Sequence, residues 1–276
     1  MQRALAANPN DPRLLFEYQQ LLKNLNVSPA ERLAVYDRYP ELLARRDDCY
    51  LDLVTLVFQT GEYQKAIDLA AAKRFHIYEG GEGKLTRLHA WMHMFCGLEA
   101  EAAGDDAAAE RAYRNGCVVP KSYGEAKTFF NQEAHLYWLL GRLYEKRGQD
   151  AEEAYRTGAV YKAAVSEISL FRALCLRKLH RDAEADAVLQ EMLQTAENQI
   201  RNCDLRSYYG VGSPSPMPFE NDIVKQNLRS GNLLKAFALL GMGQTEAADA
   251  AWENAAALSP YDDTVLIYRW IRRVIG

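Results

Sequence analysis

The chain has 276 residues, 49% hydrophobic and 25% charged, with a formal net charge of −4. That is ordinary globular composition on a chain long enough to bury a substantial core. The interspersed signs argue against a nucleic-acid reader, which needs a basic stripe: the densest basic run, Arg269, Arg272 and Arg273, falls on the last expected helix, where cations complement the macrodipole.

No segment reaches the roughly 18 consecutive apolar residues of a membrane span, and Met1 to Pro9 lacks the apolar core of a signal peptide. Five scattered cysteines with no C-x-x-C pair read as reduced, buried thiols, so a cytoplasmic protein is expected. In chain order, Ala4 followed by Asn8-Pro9 reads as the tail of a helix whose front half is absent. Residues 1–276 are therefore expected to form a single domain, the C-terminal part of a longer protein. Ser28-Pro29-Ala30-Glu31 predicts a helix start, with Ser28 as N-cap, Pro29 in the first helical position and Glu31 completing a capping box.

From there one arrangement recurs. A first helix carries large residues and a close-packing glycine; a turn residue follows; a second helix carries small, aromatic and small positions, with proline closing the unit. It is visible at Tyr50, Leu53, Gly61, Tyr63, Ala66 and Ala70, and again at Gly97, Gly104, Ala109, Tyr113, Gly116 and Pro120. Tyr137-Trp138-Leu139-Leu140-Gly141 with Tyr144 and Gly148 is a third instance, whose second helix, Ala151 to Tyr161, lies one residue out of register. Leu174 to Leu193 places His180 at the turn and Ala185 at the small position. The clearest instance is Gly243 to Ala248, followed by Trp252, Ala255 and Pro260. Asp262 or Asp263 then opens a helix carrying Leu266, Trp270 and Val274 at helical spacing, which suits a terminal capping helix.

This pattern resembles the tetratricopeptide repeat (TPR) superfamily across nearly the whole chain. The resemblance implies an all-α fold, an α-solenoid of antiparallel helix pairs with irregular insertions and no sheet of more than two short strands. The insertions fall at Phe75 to Thr86, Val119 to Phe129 and Asp204 to Asp222, and in solenoids such additions tend to gather on one, often functional, face. More narrowly, Asn8 to Leu14, Arg74-Phe75-His76 running into Glu79-Gly80-Gly81-Glu82-Gly83, Gly124 to Lys127 and Phe219 to Asp222 resemble the C-terminal region of certain large bacterial proteins. Those proteins carry an uncharacterised β-rich domain, similar to sugar-binding sandwiches, ahead of their repeats. Ile77-Tyr78 stands where that group usually has Pro-Trp.

Candidate site residues cluster in the insertions. Gly80, Gly81 and Gly83 permit close approach of a partner, with His76, Tyr78, Glu79, Glu82 and Lys84 around them. The stretch is not a phosphate loop, because Tyr78 and Leu85 occupy positions that motif reserves for Gly and Ser or Thr. Glu79 and Glu82 have the residue types of a glycosidase pair, but adjacency in sequence does not establish their separation in space. Tyr208, Tyr209 and Phe219 lie in a Pro- and Gly-rich stretch expected to run extended over a groove or meet a partner. His89 and His93 share a helix face, yet the H-E-x-x-H form and a third ligand are missing, so they read as core or groove residues rather than a metal site. No catalytic residue and no cofactor is assigned. The expected function is a scaffold whose concave face grips a protein or peptide, or an N-terminal domain of the same polypeptide. The alternative is the helical segment of a carbohydrate-active enzyme that lends the Gly80–Gly83 loop to a site shared with another domain.

Overall fold

The computed structural model describes residues 2–76, 81–125, 133–160, 164–204 and 223–275. Among these residues all regular structure is helical, with fifteen α-helices, one 3₁₀ turn at Lys121–Tyr123 and no strand. The helices are α1 (Gln2–Ala7), α2 (Pro12–Asn24), α3 (Pro29–Tyr36), α4 (Pro40–Leu43), α5 (Asp47–Gln59), α6 (Tyr63–Ala72), α7 (Lys84–Ala102) and α8 (Asp106–Gly116). They continue with α9 (Ala134–Lys146), α10 (Glu152–Ala159), α11 (Ile168–Lys178), α12 (Asp182–Arg201), α13 (Ile223–Gly241), α14 (Thr245–Leu258) and α15 (Asp263–Ile275). None is long and apolar enough to cross a membrane. The chain divides into two compact units, Met1–Ala164 with Leu174–His180, and Val165–Ala173 with Arg181–Gly276.

One local device ends six of the helices. Asn26, Gly61, Gly104, Gly148, His180 and Gly243 each stand two residues past a helix end with positive φ. At five of them the next amide reaches back to a carbonyl five residues earlier, as in Asp105 N to Ala100 O at 2.9 Å and Gln244 N to Leu239 O at 2.9 Å. This closure satisfies carbonyls the helix end would leave orphaned and reverses the chain within a few residues. Ser28 forms the expected capping box, accepting from the Glu31 amide while Glu31 accepts from the Ser28 amide.

Packing within each unit follows the small-against-large pattern. In the first, a Cβ at Gly97 would overlap the Tyr113 ring, and one at Gly141 would overlap Tyr155, so α7 meets α8 and α9 meets α10 at close range. In the second, a Cβ at Gly241 would lie 2.5 Å from Leu189, and one at Gly231 2.7 Å from Ile200. Both units have buried apolar interiors, among them Trp91, Phe95, Tyr113 and Leu136 in the first and Met192, Phe237, Val265 and Tyr268 in the second. At the start of the first unit a polar network is buried as well. The Arg32 guanidinium forks onto both oxygens of Asp52 at 2.9 and 2.7 Å, Tyr36 donates to the same carboxylate at 2.8 Å, and Gln19 bridges the Arg32 side chain and carbonyl.

The last helix differs from its reading in one respect. Its buried stripe is Val265, Ile267, Tyr268 and Ile271, whereas Leu266, Trp270 and Val274 are only partly covered. The core side is thus offset from the expected face, because the Tyr268 ring packs edge-on against Phe237 at 5.4 Å and sets the rotation of the helix. Trp252 is half-buried rather than enclosed. It lies parallel to Tyr268 at 6.0 Å, donates from Nε1 to Val265 O at 3.0 Å, and carries the Arg269 guanidinium 4.9 Å above its ring.

Candidate functional site

In the first unit, two of the insertions meet at the front of α7. The polypeptide leaving α6 is pinned at Phe75, whose amide donates to Ser122 O at 2.8 Å and whose buried ring sits edge-on between Tyr50 (5.9 Å) and Tyr123 (6.0 Å). Gly124 has φ +70°, and a Cβ there would fall 2.6 Å from the Phe75 carbonyl oxygen, so only glycine allows this approach. Farther along, the Gly83 amide donates to both oxygens of Glu125, at 3.2 and 3.3 Å. Two segments far apart in sequence are thereby fastened twice, once backbone to backbone and once from the Gly83 amide to the Glu125 carboxylate.

Asp47, in the first turn of α5, is the second anchor. Its Oδ1 lies 2.8 Å from Lys73 Nζ, and its Oδ2 accepts from the His76 amide at 2.7 Å and approaches the His76 ring at 3.2 Å. Burial acts to raise the Asp47 carboxyl, but hydrogen bonds from Lys73 and the His76 amide outweigh it, so its pKa is lowered. The Lys73 ammonium also lies over the Tyr50 and Phe75 rings and reaches Ala44 O at 3.2 Å. His76 itself remains 80% exposed at its side chain.

Glu125 has the opposite character. It is half-buried and its pKa is raised, first by burial and in part by the charge of Glu82, against the lowering effect of the Gly83 and Thr86 hydrogen bonds. Glu82 and Lys84 are exposed as whole residues, Gly81 is buried, and Lys84 opens α7. The Lys84 pKa is lowered by burial and then by Lys23, with Glu82 opposing. Glu82 therefore lies within electrostatic reach of both Lys84 and Glu125, while His76 takes its partner from α5. Tyr78, Glu79 and Gly80, and likewise Tyr208, Tyr209 and Phe219, lie outside the described residues.

Beneath this surface is a histidine cluster. His89 Nε2 donates to Asn115 O at 3.1 Å, which leaves Nδ1 to accept from the Tyr123 hydroxyl at 3.0 Å, and the His93 ring stands edge-on to it at 4.4 Å. His135 is fully buried and stacked on Trp91 at 4.2 Å. Burial lowers all three imidazoles, His93 to about 4 with the His89 charge contributing, and His135 to about 3. Both nitrogens of His89 are committed to protein partners, and among the described residues no group of three His, Cys, Asp or Glu is placed to hold a metal ion. These are core histidines, and one of them, His89, ties Tyr123, and through it Phe75, to α7.

Sequence reasoning did not find Asp47, Lys73 or Ser122. An acid in the first turn of a helix is already accounted for by the macrodipole, and nothing in the spacing marks a partner at residue 76. Glu125 was visible only as part of a resemblance. No family model matches the sequence.

Proposed function

We propose that the chain is a tetratricopeptide-like recognition module that binds a protein or peptide, or another domain of its own polypeptide, at the surface where the first two insertions meet. The observation that supports this best is the Gly83–Glu125 link together with the Phe75–Ser122 bond. Ordering glycine-containing loops costs conformational entropy, and a mere connector has no use for such fastening. Fastening does serve binding, because a surface held in its binding conformation loses less entropy on association. His76, Glu82 and Lys84 are left exposed on that surface and supply both charge signs. Repeat arrays present extended faces of this kind to partners.

The test is affinity capture with the intact chain and with a His76→Ala, Glu82→Ala, Lys84→Ala variant. The variant is expected to melt within about 0.5 kcal/mol of the parent per substitution, as surface changes usually do, and to lose partners the parent retains. Identical partner sets from both chains would refute the assignment.

Glu125 favours a second reading, in which the chain is the helical segment of a carbohydrate-active enzyme. A raised carboxyl beside a second carboxylate is a feature such sites use for proton transfer. Calorimetric titration with oligosaccharides, compared with Glu125→Gln, tests it: heat that disappears in the variant supports this reading, and no heat from the parent chain counts against it.

A further inference from the structure

The last helix, α15, presents Val265, Ile267, Tyr268 and Ile271 to the core, all of them buried. Its opposite side carries Leu266, Arg269, Trp270 and Arg273, spaced i, i+3, i+4 and i+7 and therefore on one face of the helix. Leu266 and Trp270 are half-buried there, and the two arginines are exposed. This face belongs to the second unit and does not depend on the assignment of the surface described above.

Aromatic rings hold both guanidiniums in place. The Arg269 guanidinium lies 4.9 Å from the centre of the Trp252 ring, and that of Arg273 lies 5.3 Å from the centre of the Trp270 ring. A cation over a ring is attracted by the ring face and keeps its N–H donors for other acceptors. Among the described residues no carboxylate forms an ion pair with Arg269 or Arg273. Their neighbour Arg272 shows the contrast, with its Nε 3.0 Å from Asp249 Oδ1. Asp249 is thereby taken, and the other acids of α14, Glu246 and Glu253, pair with neither arginine. The sequence of α13 contains no acid, and that of α15 contains none after Asp263.

On a chain of net charge −4, this face thus keeps two positive charges that its own helices leave unneutralised, beside two half-covered apolar side chains. The complement is a partner that is acidic and partly apolar. Nucleic acid calls for a basic stripe, which the chain lacks. A helix lying on a membrane buries its apolar face in lipid, whereas the apolar stripe of α15 is already packed in the core. Tryptophan and arginine are the side chains in which protein interfaces concentrate their binding energy. We propose that this face of α15 docks an acidic amphipathic helix of a partner protein. Carboxylates one turn apart on that helix accept from Arg269 and Arg273, which are themselves one turn apart, and its apolar side chains cover Leu266 and Trp270.

The test uses the full chain and three capped helical peptides of one design, titrated by calorimetry. Each carries leucines and, one turn apart on the same face, a pair of glutamates, glutamines or lysines. The glutamate peptide is expected to bind, more weakly as salt rises, and both others at least about tenfold less well. Arg269→Gln with Arg273→Gln should weaken the glutamate peptide by a similar factor while circular dichroism shows the helices intact. The His76, Glu82, Lys84 variant should bind it as the parent does, which separates this site from the first. Equal binding of the glutamate and glutamine peptides, undiminished binding by the double variant, or no binding of the glutamate peptide would each overturn the proposal. Binding to vesicles of an anionic phospholipid in preference to the glutamate peptide would overturn it as well.

Discussion

His180 occupies a position that every other helix-ending turn of this kind gives to glycine or asparagine. Its φ of +57° matches the turns at Gly61, Gly104, Gly148 and Gly243, but a Cβ in that region costs about 1–2 kcal/mol. The side chain is exposed and contributes little in return. His180→Gly should therefore stabilise the chain by about 0.5 kcal/mol, the strain relieved less the extra entropy glycine gives the unfolded state. Urea denaturation with a midpoint no higher than the parent's would contradict this. Trp252 illustrates how partial burial sets the size of an effect. A fully buried aromatic truncation costs about 3–5 kcal/mol, but Trp252 is half-buried between α14 and α15. Trp252→Ala should cost about 2–3 kcal/mol, scaled down for the smaller area removed from water. A loss above that range in chemical denaturation would mean that the Val265 hydrogen bond and the Tyr268 stack contribute more than the burial does.

Among the elements, the α9–α10 pair is held by close contact. Gly141 lies against the Tyr155 ring with no space for a methyl group. Alanine is about 1 kcal/mol better than glycine in a free helix, whereas overpacking costs about 1–3 kcal/mol. Gly141→Ala is expected to lower the melting temperature by a few degrees, and a rise would show that the two helices separate without penalty. The α2–α3–α5 group is held differently, through the Arg32–Asp52 pair. Removing one partner of a buried pair strands the other, at a cost of about 3–5 kcal/mol. Asp52→Asn should accordingly be the more damaging of the two substitutions, and denaturant midpoints ranked the other way would contradict it.

On the scale of the whole molecule, the histidines are unevenly distributed. All five, His76, His89, His93, His135 and His180, belong to the first unit. His93 is lowered to about 4 and His135 to about 3, against an ordinary value of 6.5, so between those values the unfolded chain holds more protons than the folded one. Stability from this source is complete above pH 6.5 and is lost as pH falls toward 4, roughly 2 kcal/mol per imidazole by pH 5. The second unit has no imidazole to charge in that window. Peptide-resolved hydrogen exchange at pH 7 and pH 5, corrected for intrinsic rates, should show weakened protection in the first unit and little change in the second. Equal loss in both would rule out the histidine cluster as the cause.

What the sequence determined by itself is local in origin. The capping box at Ser28, the turn residues at Gly61, Gly104, Gly148, His180 and Gly243, and the small positions at Gly97 and Gly141 each act through a helix end or a neighbouring helix a few residues away. Chain chemistry at that range is legible because backbone geometry dictates which residue type fits. The tertiary structure decided the rest. The rotation of α15 depends on Phe237, the Asp47–Lys73–His76 anchor on residues almost thirty apart, and the Gly83–Glu125 link on two insertions that meet only after α7 and α8 have paired. A cavity lined by Arg229 gathers Glu167, α13 and the start of α15 across about a hundred residues. None of these partners bears a fixed spacing to the others, because a side chain chooses its neighbour by position in space, and that position exists only once the helices have packed.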